Sequence, residues 1–374
     1  MTCRRPGTGC TLQHMHYHLT AFKARRLSPT QLSSTGKSMH LPQSQFDQSD
    51  PAAALASRQR RLCLATALMP LLGSAGCAPV KPLVLAGRPW PGYEPMFLAR
   101  TLGYLPKQVT LLEPPSRAAL IESLHQGRAD GVMLTLDQIL ELRDQGVDLE
   151  IVLVFDVSKG ADVLLGRPGM RDLLALRGRR IGLIDSALGT LMLAMVLEKS
   201  GLKMGDITLK RIVFEEHEAV WDRGEIDALL TYEPVAGRLK RRGASLLLST
   251  RELPDTIIDV LAVRPEVARN HASTLRATLA GHFKAVRYLR QNPWDAAYRV
   301  APRLNVSAEE MIASLRGLEL PDLVGNRRYL SGDNGELLRV TQRLSPIMQQ
   351  AKLITRPVDT RQLFSSAYLP GDES

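Results

Sequence analysis

The sequence predicts an α/β fold of two lobes from about Leu83 onward. Short apolar runs alternate with helical patterns as far as Val263, which is typical of mainly parallel sheets covered by helices. The alternation falls into two successive blocks, and a matching turn recurs 97 residues apart, at Asp130 and Asp227. After Val263 only helical patterns follow. Together these observations predict two β/α lobes and a helical C-terminal segment.

The first block, up to residue 157, is predicted to alternate strands with helices. The predicted strands are Leu83–Gly87, Gln108–Leu112, Ala129–Leu134 and Glu150–Phe155. The predicted helices are Glu94–Leu102, Ser116–Gln126 and Leu136–Gln145. Strands joined by helices run mainly parallel, because each helix returns the chain to the same end of the sheet.

The second block, residues 158–256, repeats this pattern. The predicted strands are Asp162–Gly166, Arg180–Ile184, Thr208–Phe214, Ala228–Thr231 and Ala244–Ser249. The predicted helices are Leu188–Ser200, Glu216–Arg223 and Pro234–Arg242, the first of them ended by Gly201. One more strand, Ile257–Val263, leads into a tail for which only helices are predicted. We therefore expect 78–157 and 257–374 to form lobe 1, with its C-terminal helices, and 158–256 to form lobe 2.

The predicted tail helices are Pro265–Asn270, Ala272–Gln291, Pro293–Ala301, Ser307–Leu315 and Asn334–Gln350. The recurring turn consists of Gly127-Arg128-Ala129-Asp130 in the first block and Gly224-Glu225-Ile226-Asp227 in the second. Each glycine is placed to end a helix with positive φ, and each aspartate to enter the next strand. Such turns are ordinary between helices and strands. Their recurrence at matching places predicts two similar lobes.

The N-terminal segment differs in composition. Residues 1–57 are polar and rich in Ser, Gln, His and Pro, so they are predicted to be disordered or to precede the true start. Residues 58–77 then show an arginine cluster, an apolar run over Leu62–Leu72 and small residues before Cys77, as in a secretory signal. The run is too short to span a bilayer.

Cys77 gives this signal two interpretations. It follows Ala75 and Gly76, which resembles the end of a bacterial lipobox, where the cysteine is lipidated. Ser74 stands where that pattern usually has leucine, so an ordinary cleaved signal is the alternative. Lipidation would place the body at the outer face of a membrane through a lipid anchor, and cleavage alone would place it in the periplasm.

The charge distribution argues against nucleic acid as a partner. The net charge is +10, but residues 1–77 carry nine Lys and Arg against two acidic residues. The remaining chain is close to neutral, and it has no basic run interleaved with aromatic residues. No cysteine lies beyond Cys77, so the body contains no disulfide, thiolate metal site or cysteine nucleophile.

A series of spaced motifs resembles one family. The matching segments are Trp90-Pro91-Gly92-Tyr93-Glu94-Pro95, Gly103-Tyr104, Gly127-Arg128-Ala129-Asp130, Arg177-Gly178-Arg179-Arg180-Ile181-Gly182, Gly224-Glu225-Ile226-Asp227-Ala228 and Tyr232-Glu233-Pro234. In this order they resemble the NMT1/THI5-like solute-binding proteins of ABC importers for nitrate, sulfonates, taurine and thiamine-precursor pyrimidines. The resemblance spans roughly Leu83 to Trp294.

The resemblance implies a type II periplasmic-binding-protein-like fold, in which two crossover strands join the lobes and the ligand lies between them. It also implies a small-molecule ligand, an ABC permease as partner, no cofactor and a monomeric chain. A sensory binder of the same fold is the alternative role. A pyrimidine-precursor synthase is a further alternative, but that enzyme depends on a cysteine-rich segment, which the body lacks.

Three loops are predicted to line the cleft, since ligands of open α/β sheets lie at the carboxyl ends of strands. Trp90, Tyr93 and Glu94 follow the first strand; Trp90 either walls the cleft or packs in the core. The second loop supplies Ser186, Gly189 and Thr190, either as an anion seat or as a simple helix cap. The third supplies Tyr232 and Glu233, and Thr135 takes the equivalent place in lobe 1.

The acidic residues Glu94, Asp185 and Glu233 favour an amine or a heterocycle over a small anion, whereas Arg88 favours an anion. Glu94 and Glu233 are alternatively first-turn helix charges. No catalytic residue and no metal site is predicted. The body's histidines, His125, His217, His271 and His282, lie on predicted helices without a paired motif, and no common hydrolase, nucleotide or zinc motif occurs.

Overall fold

The computed structural model describes residues 81–371, so the predictions for residues 1–80, including the signal and Cys77, lie outside it. The strands are β1 Leu83–Ala86, β2 Val109–Leu112, β3 Gly131–Thr135, β4 Glu150–Ser158, β5 Asp162–Gly166, β6 Arg180–Ile184, β7 Thr208–Ile212, β8 Ala228–Tyr232, β9 Ser245–Ser249, β10 Ile258–Val263 and β11 Leu318–Glu319.

The helices are α1 Glu94–Thr101, α2 Arg117–His125, α3 Leu136–Asp144, α4 Ala187–Ser200, α5 His217–Asp222, α6 Val235–Arg241, α7 Pro265–Asn270, α8 Ala272–Gln291, α9 Pro293–Leu304, α10 Ala308–Leu315, α11 Leu323–Tyr329 and α12 Glu336–Gln350. Short 3₁₀ turns lie at Leu173–Leu176, Met204–Asp206, Phe214–Glu216, Thr250–Glu252 and Gly332–Asn334.

The strands form two sheets of closely similar order. One has the order β11-β4-β10-β3-β1-β2, and the other has the order β7-β6-β8-β5-β9. In each, a parallel three-stranded unit is followed by an antiparallel strand, β10 or β5, and then by β4 or β9. We call the six-stranded sheet with its helices lobe 1 and the five-stranded sheet with its helices lobe 2. The predicted two-lobed α/β fold is confirmed.

Two connections join the sheets. The chain leaves β4 at Ser158 and enters β5 at Asp162, and it returns from β9 at Ser249 to β10 at Ile258. Hydrogen bonds hold the two connections together: Ser158 Oγ lies 2.7 Å from Thr250 Oγ1. Because β4 and β10 are neighbours in lobe 1 and β5 and β9 are neighbours in lobe 2, any movement of the lobes must bend both connections together.

The recurring turn has the same geometry in both lobes. Gly127 and Gly224 have φ of 66° and 69°. Asp130 Oδ2 accepts the Val84 N–H at 2.9 Å, and Asp227 Oδ2 accepts the Arg180 N–H at 2.9 Å. In each case the aspartate N–H also donates to the carbonyl of that same residue, at 2.8 Å. Each aspartate thus ties the start of its own strand to the neighbouring strand.

The core follows from apolar strands buried on both faces. Every residue of β3 and β10 is buried, and Phe97 and Phe155 are among the fully buried large side chains. Complete burial of one such side chain contributes about 1.5–3 kcal/mol. Helix α4 begins at the Ser186 cap and ends at Gly201, as predicted, and it contacts α3 and α12 of lobe 1.

The prediction that only helices follow Val263 was wrong at one point. The two-residue strand β11 pairs with the end of β4, and helix α11 behind it was also not predicted. The buried Asn326 on α11 accepts the Val154 N–H at 2.7 Å and donates to the Val154 carbonyl at 3.1 Å, as a strand would. Ile151 bonds with Leu363 and Ser365 further along. These contacts cover the β4 edge, which would otherwise expose unpaired backbone groups.

Candidate functional site

A cavity of about 340 Å³ lies between the lobes, at the carboxyl ends of β1, β3, β6 and β8. From lobe 1 it is lined by Arg88, Trp90, Tyr93, Arg117, Thr135 and Asp259, among others. From lobe 2 it is lined by Asp162, Leu188, Phe214, Glu215, Tyr232 and Glu233, among others. Its volume lies within the range of small-molecule sites. The site predictions for Trp90, Tyr93, Thr135, Tyr232 and Glu233 thus fall on residues of one cavity.

Aromatic rings from both lobes touch each other at the wall of this cavity. Trp90 meets Tyr232 edge-on, with ring centroids 5.3 Å apart and an interplanar angle of 88°. Tyr232 stacks on Phe214 at 4.2 Å and 6°. Phe214 was predicted to end a strand, but β7 stops at Ile212, and Phe214 begins the 3₁₀ turn that brings its ring to Tyr232. Its position at the end of a predicted strand did not indicate that the Phe214 ring would reach the cavity.

The Trp90 side chain is tied to lobe 1 by a buried carboxylate. Its Nε1–H donates to Asp156 Oδ2 at 3.1 Å. Gly92 lies against the same carboxylate: a Cβ at position 92 would stand 1.7 Å from Asp156 Oδ2. The Trp-Pro-Gly-Tyr segment therefore requires glycine because the backbone approaches Asp156 closely, which is a structural reason for the motif. Trp90 both lines the cavity and is 8% exposed, so the two interpretations of it are compatible.

Tyr93 is anchored in the same way. Its hydroxyl donates a hydrogen bond to Asp259 Oδ1. Asp259 on β10 is the register partner of Asp156 on β4, so these two carboxyls lie side by side on the strands next to the lobe connections. Burial and then their mutual repulsion raise the pKa of Asp259 well above its usual range, and burial raises that of Asp156 as well. Burial also raises the pKa of Tyr93. The pair therefore takes up protons more readily than exposed carboxyls do.

A third acidic residue comes from lobe 2. Asp162 begins β5, lines the cavity and is 3% exposed. Its Oδ2 has no hydrogen-bond partner among residues 81–371. Burial, with smaller contributions from Asp137 and Glu233, raises the pKa of Asp162 to about 7. Asp162 was not selected from the sequence, because its position at the start of a strand gave no sign that the side chain would be enclosed.

The arginines that line the cavity are all paired with carboxylates. Arg88 Nη2 lies 2.5 Å from Glu215, and this pair joins lobe 1 to lobe 2. Arg117 lies 3.1 Å from Glu141, and Arg238 lies 2.7 Å from Glu218. Arg303 lies 2.9 Å from Glu94. Each of these guanidinium groups thus has a carboxylate beside it, while Arg88 Nε, Arg117 Nε and Arg303 Nη2 are buried without a hydrogen-bond partner among residues 81–371.

Two acidic residues that were expected at the cleft have other positions. Glu94 is buried behind the wall and reaches the cavity only through its partner Arg303, whose guanidinium lies 3.5 Å from the Phe97 ring centroid. Burial raises the pKa of Glu94 to about 7, although Arg303 opposes the shift. Asp185 does not line the cavity; its side chain is 64% exposed and lies 3.0 Å from Arg211.

The loop before α4 contributes to the cavity through different residues than expected. Ser186 Oγ accepts the Gly189 N–H at 3.3 Å as a helix cap, and Thr190 Oγ1 lies 3.4 Å from Arg211 Nη1. A Cβ at Gly189 would stand 2.1 Å from the Ile184 carbonyl oxygen, so glycine is needed for packing. Ile184 and Leu188 line the main cavity, whereas Gly189 lines a recess of about 10 Å³. Ligand contact by Ser186, Gly189 and Thr190 stays a prediction.

Glu233 lies just before α6, and its side chain bonds to that helix. Its Oε2 accepts the Gly237 N–H at 2.8 Å, and its Oε1 lies 3.0 Å from Lys240 Nζ. It therefore has the helix-charge role that was one of its two interpretations, while also lining the cavity. Thr135 and Tyr232 end β3 and β8, at equivalent places in the two lobes.

Comparison with known proteins decides the family. The profile of the "NMT1/THI5 like" family matches residues 90–296, which is more than half of the chain. The chain belongs to the NMT1/THI5-like family. The family resemblance predicted from the spaced motifs is therefore confirmed, and most residues that line the cavity, though not Arg88 or Arg303, lie within the matched residues.

Curated relatives of this NMT1/THI5-like chain include two transport proteins and one enzyme. A putative aliphatic sulfonates-binding protein of Escherichia coli is 23% identical over 69% of this chain and 80% of that protein. The taurine-binding periplasmic protein of E. coli is 22% identical over 58% of this chain and 67% of that protein. The 4-amino-5-hydroxymethyl-2-methylpyrimidine phosphate synthase of Saccharomyces cerevisiae is 26% identical over 39% of this chain and 44% of that protein.

Solved structures share the fold of this NMT1/THI5-like chain. The periplasmic aliphatic sulphonate binding protein of E. coli superposes with a TM-score of 0.64 at 20% identity, covering 76% of this chain and 92% of that one. A desulfurization enzyme superposes with a TM-score of 0.58 at 17% identity, covering 76% and 97%. The same fold thus occurs in proteins named as binders and as enzymes.

Two histidines of this family member are buried away from the cavity. His217 Nδ1 lies 3.0 Å from Thr231 Oγ1, and burial lowers the pKa of His217 to about 4. His282 packs against Phe155 and Phe283, and burial lowers its pKa to about 3. Both are therefore neutral at physiological pH. Within residues 81–371, no helix is long and apolar enough to cross a membrane.

Proposed function

We propose that this chain is an extracytoplasmic solute-binding protein that captures a small organic molecule between its lobes and delivers it to an ABC importer. The observation that carries the proposal is the cavity itself, which lies at the strand ends and has aromatic walls from both lobes. The relatives named as sulfonate- and taurine-binding proteins support the class of function. Sulfonates, amines and pyrimidine-like compounds are the candidate solutes.

Lobe movement about the two connections would open and close this cavity. The Arg88–Glu215 ion pair and the Trp90–Tyr232 ring contact join the lobes directly at the cavity. Both contacts would have to separate when the solute enters. A closed state of this kind presents a continuous surface from both lobes to a permease, which fits the proposed delivery role.

We further infer that the solute leaves unchanged. Among the described residues that line the cavity, none is a histidine, a cysteine or a serine, and the carboxyl groups there, such as Asp162, are the groups that could act as a general base. The likenesses to a synthase and to a desulfurization enzyme make turnover the alternative to exclude. Recovery of the bound compound unaltered after release, by mass spectrometry, tests this part of the proposal.

Ligand-induced thermal stabilisation tests the binding function. A solute that binds only the folded protein raises its melting temperature. The panel should contain small sulfonates, amines and aminopyrimidines, and the variant Tyr232→Ala should abolish the shift because it removes a cavity wall. Tyr298→Ala is the matched control, since that ring is 64% exposed on α9. Equal shifts in both variants, or no shift with any compound, would contradict the proposal.

The proposed location at the outer face of a membrane rests on Cys77 and the apolar run before it. In a bacterial expression host, wild-type protein should fractionate with membranes and carry a lipid-sized mass increase at its N-terminus. Cys77→Ser should be released into the soluble extracytoplasmic fraction if the residue is lipidated. A soluble wild-type protein whose N-terminus lies near residue 77 would instead indicate an ordinary cleaved signal.

A further inference from the structure

The charged groups of the cavity are not balanced. Each lining arginine is paired with a carboxylate, and Glu233 is paired with Lys240. Asp162 and Asp259 are the lining carboxylates without such a partner among residues 81–371. The protein therefore brings a surplus of acidic groups to the wall of this cavity.

Asp162 gives the clearest indication of the group that a ligand would present to the cavity. A buried carboxylate is unfavourable unless a cation or several hydrogen-bond donors compensate for its lost hydration. The Oδ2 atom of Asp162 has neither within the described chain, although the residue is 97% shielded from solvent. Its acidic neighbours, Asp137 and Glu233, make the position more unfavourable for a negative charge. A ligand that brings positive charge would remove this cost.

The neighbouring aromatic groups reinforce the preference. Tyr93 and Trp90 direct their O–H and N–H groups toward Asp259 and Asp156, so those donors are occupied and are not offered to an anion. The ring faces of aromatic residues attract cations. Tyr232 extends from the strand next to β5 and is the direct register partner of Asp162. An ammonium group near Asp162 would therefore lie close to an aromatic wall as well.

We propose that the solute presents a positively charged nitrogen to Asp162, with its remaining body against the Trp90 and Tyr232 rings at the cavity wall. This inference rests on the proposed solute-binding function and specifies its ligand: an organic ammonium compound, which includes zwitterions. A sulfonate without an amine is disfavoured, because Asp162 repels it and each guanidinium at the wall already has a carboxylate beside it. Arg88 Nε, Arg117 Nε and Arg303 Nη2 keep N–H groups without a partner among residues 81–371, which suit the acidic end of a zwitterion.

The test compares probes that share one skeleton and differ in charge. Benzylamine, benzyl alcohol and phenylmethanesulfonate form one such set, and taurine with ethanesulfonate forms a smaller pair. Titration calorimetry at pH 8 should show the amine of a set binding at least about tenfold more tightly than its alcohol, as a charge-assisted hydrogen bond would give. The sulfonates without an amine should bind more weakly than the alcohol or not at all.

The variant Asp162→Asn keeps the shape of the side chain and removes its charge. It should weaken amine binding by about ten- to a hundredfold and leave alcohol binding unchanged. Asp185→Asn is the matched control, because that carboxylate belongs to the same lobe but faces solvent beside Arg211. The control should bind every probe as the wild type does. The wild-type probe series stands alone if the Asp162 variant does not fold.

Several outcomes would overturn the inference. One is a sulfonate without an amine that binds as tightly as the matching amine; if Tyr232→Ala abolishes that binding, the proposed function stands and the cationic ligand is refuted. Others are equal binding of amine and alcohol by the wild type, a series in which no amine binds, and amine binding that is insensitive to Asp162→Asn.

Discussion

Lobe 1 and lobe 2 each contain a turn in which an aspartate accepts a backbone N–H of the adjacent strand, at 2.9 Å in both. The carboxylates that the two lobes direct to the cavity differ. Asp259 of lobe 1 accepts the Tyr93 hydroxyl, whereas Asp162 of lobe 2 has an oxygen without a partner. Among the carboxylates that line the cavity within residues 81–371, Asp162 is thus the one with a buried oxygen that no protein group satisfies. The hydrogen bond at Asp259 holds Tyr93 in place, whereas the unsatisfied oxygen makes Asp162 the proposed ligand contact.

The pH dependence of stability should show the largest effect of the buried Asp162. Burial raises the pKa of Asp162 from its ordinary value of 3.8 to about 7. Between these values the folded protein holds a proton that the unfolded chain has lost. The contribution of Asp162 to the free energy of unfolding should therefore decrease as pH rises from about 4 to about 7, by about 1.4 kcal/mol per pH unit and roughly 4 kcal/mol in all.

Urea unfolding of the ligand-free protein at several pH values measures this effect. Asp162→Asn should reduce the decrease between pH 4 and pH 7, while Asp156 and Asp259, whose pKa values burial also raises, preserve part of it. An unchanged slope in the variant would show that Asp162 is charged throughout this range. The difference between the variant and the wild type isolates Asp162, because the lowered pKa values of the buried His217 and His282 make stability rise with pH between about 4 and 6.5.

Substitution of Gly92, whose backbone lies close to Asp156, should give the next largest loss of stability. Gly92→Ala would place a methyl group 1.7 Å from Asp156 Oδ2 and 2.8 Å from Trp90 Nε1. We expect a loss of about 3 kcal/mol of stability and weaker solute binding, because the Trp90 ring must shift. Gly205→Ala is the control, since its Cβ would meet no atom within 4 Å. Similar stabilities of the two variants in urea would contradict the proposed packing.

Substitution of the turn aspartates should lower stability moderately, whereas substitution of Asp162 should not lower it. Asp130→Ala or Asp227→Ala removes the acceptor of a strand N–H, and each should cost about 2 kcal/mol. Asp162→Ala should cost nothing or stabilise the protein at pH 8. Denaturant midpoints of the three variants measure this contrast directly. Destabilisation by Asp162→Ala equal to that of the turn variants would mean that Asp162 is a structural carboxylate.

The ion pair between the lobes should have the smallest effect on stability. Arg88 and Glu215 are 30% and 56% exposed, so removing the pair by Glu215→Gln should change stability by less than about 1 kcal/mol. Its expected influence is on solute release, because the pair joins the lobes beside the cavity. Stopped-flow measurement should show faster release in the variant and a smaller difference at high salt. A release rate identical to wild type at low salt would exclude this role.

Local patterns in the sequence predicted much of the scaffold. The β/α alternation, the Gly201 helix end and the positive φ of Gly127 and Gly224 all follow from local chemistry. The loop residues Trp90 and Tyr232 were predicted at the site because strand ends converge in such sheets. The 3₁₀ turn at Phe214 and the strand β11 were missed, since neither has a distinct local pattern.

The acidic centre of the site could not be predicted in the same way. Asp156, Asp162 and Asp259 lie in three different strands and come together only because the chain crosses twice between the lobes. A lone aspartate at a strand end is ordinary in sequence. Glu94 and Asp185 were more conspicuous beside the predicted loops, yet one is paired behind the wall and the other faces solvent. The pairing of strands that are distant in the sequence determines which carboxylates lie at the cavity.

Measurement of the distance between the two lobes tests most directly whether they close around a solute. Beyond Cys77 the chain has no cysteine, so Leu174→Cys in lobe 2 and Val324→Cys in lobe 1 would place dyes at side chains that are 62% and 70% exposed. In the Cys77→Ser background, the panel compound with the largest thermal shift should change energy transfer saturably, and Tyr232→Ala should abolish the change. Saturable binding of that compound with unchanged energy transfer would contradict capture by closure.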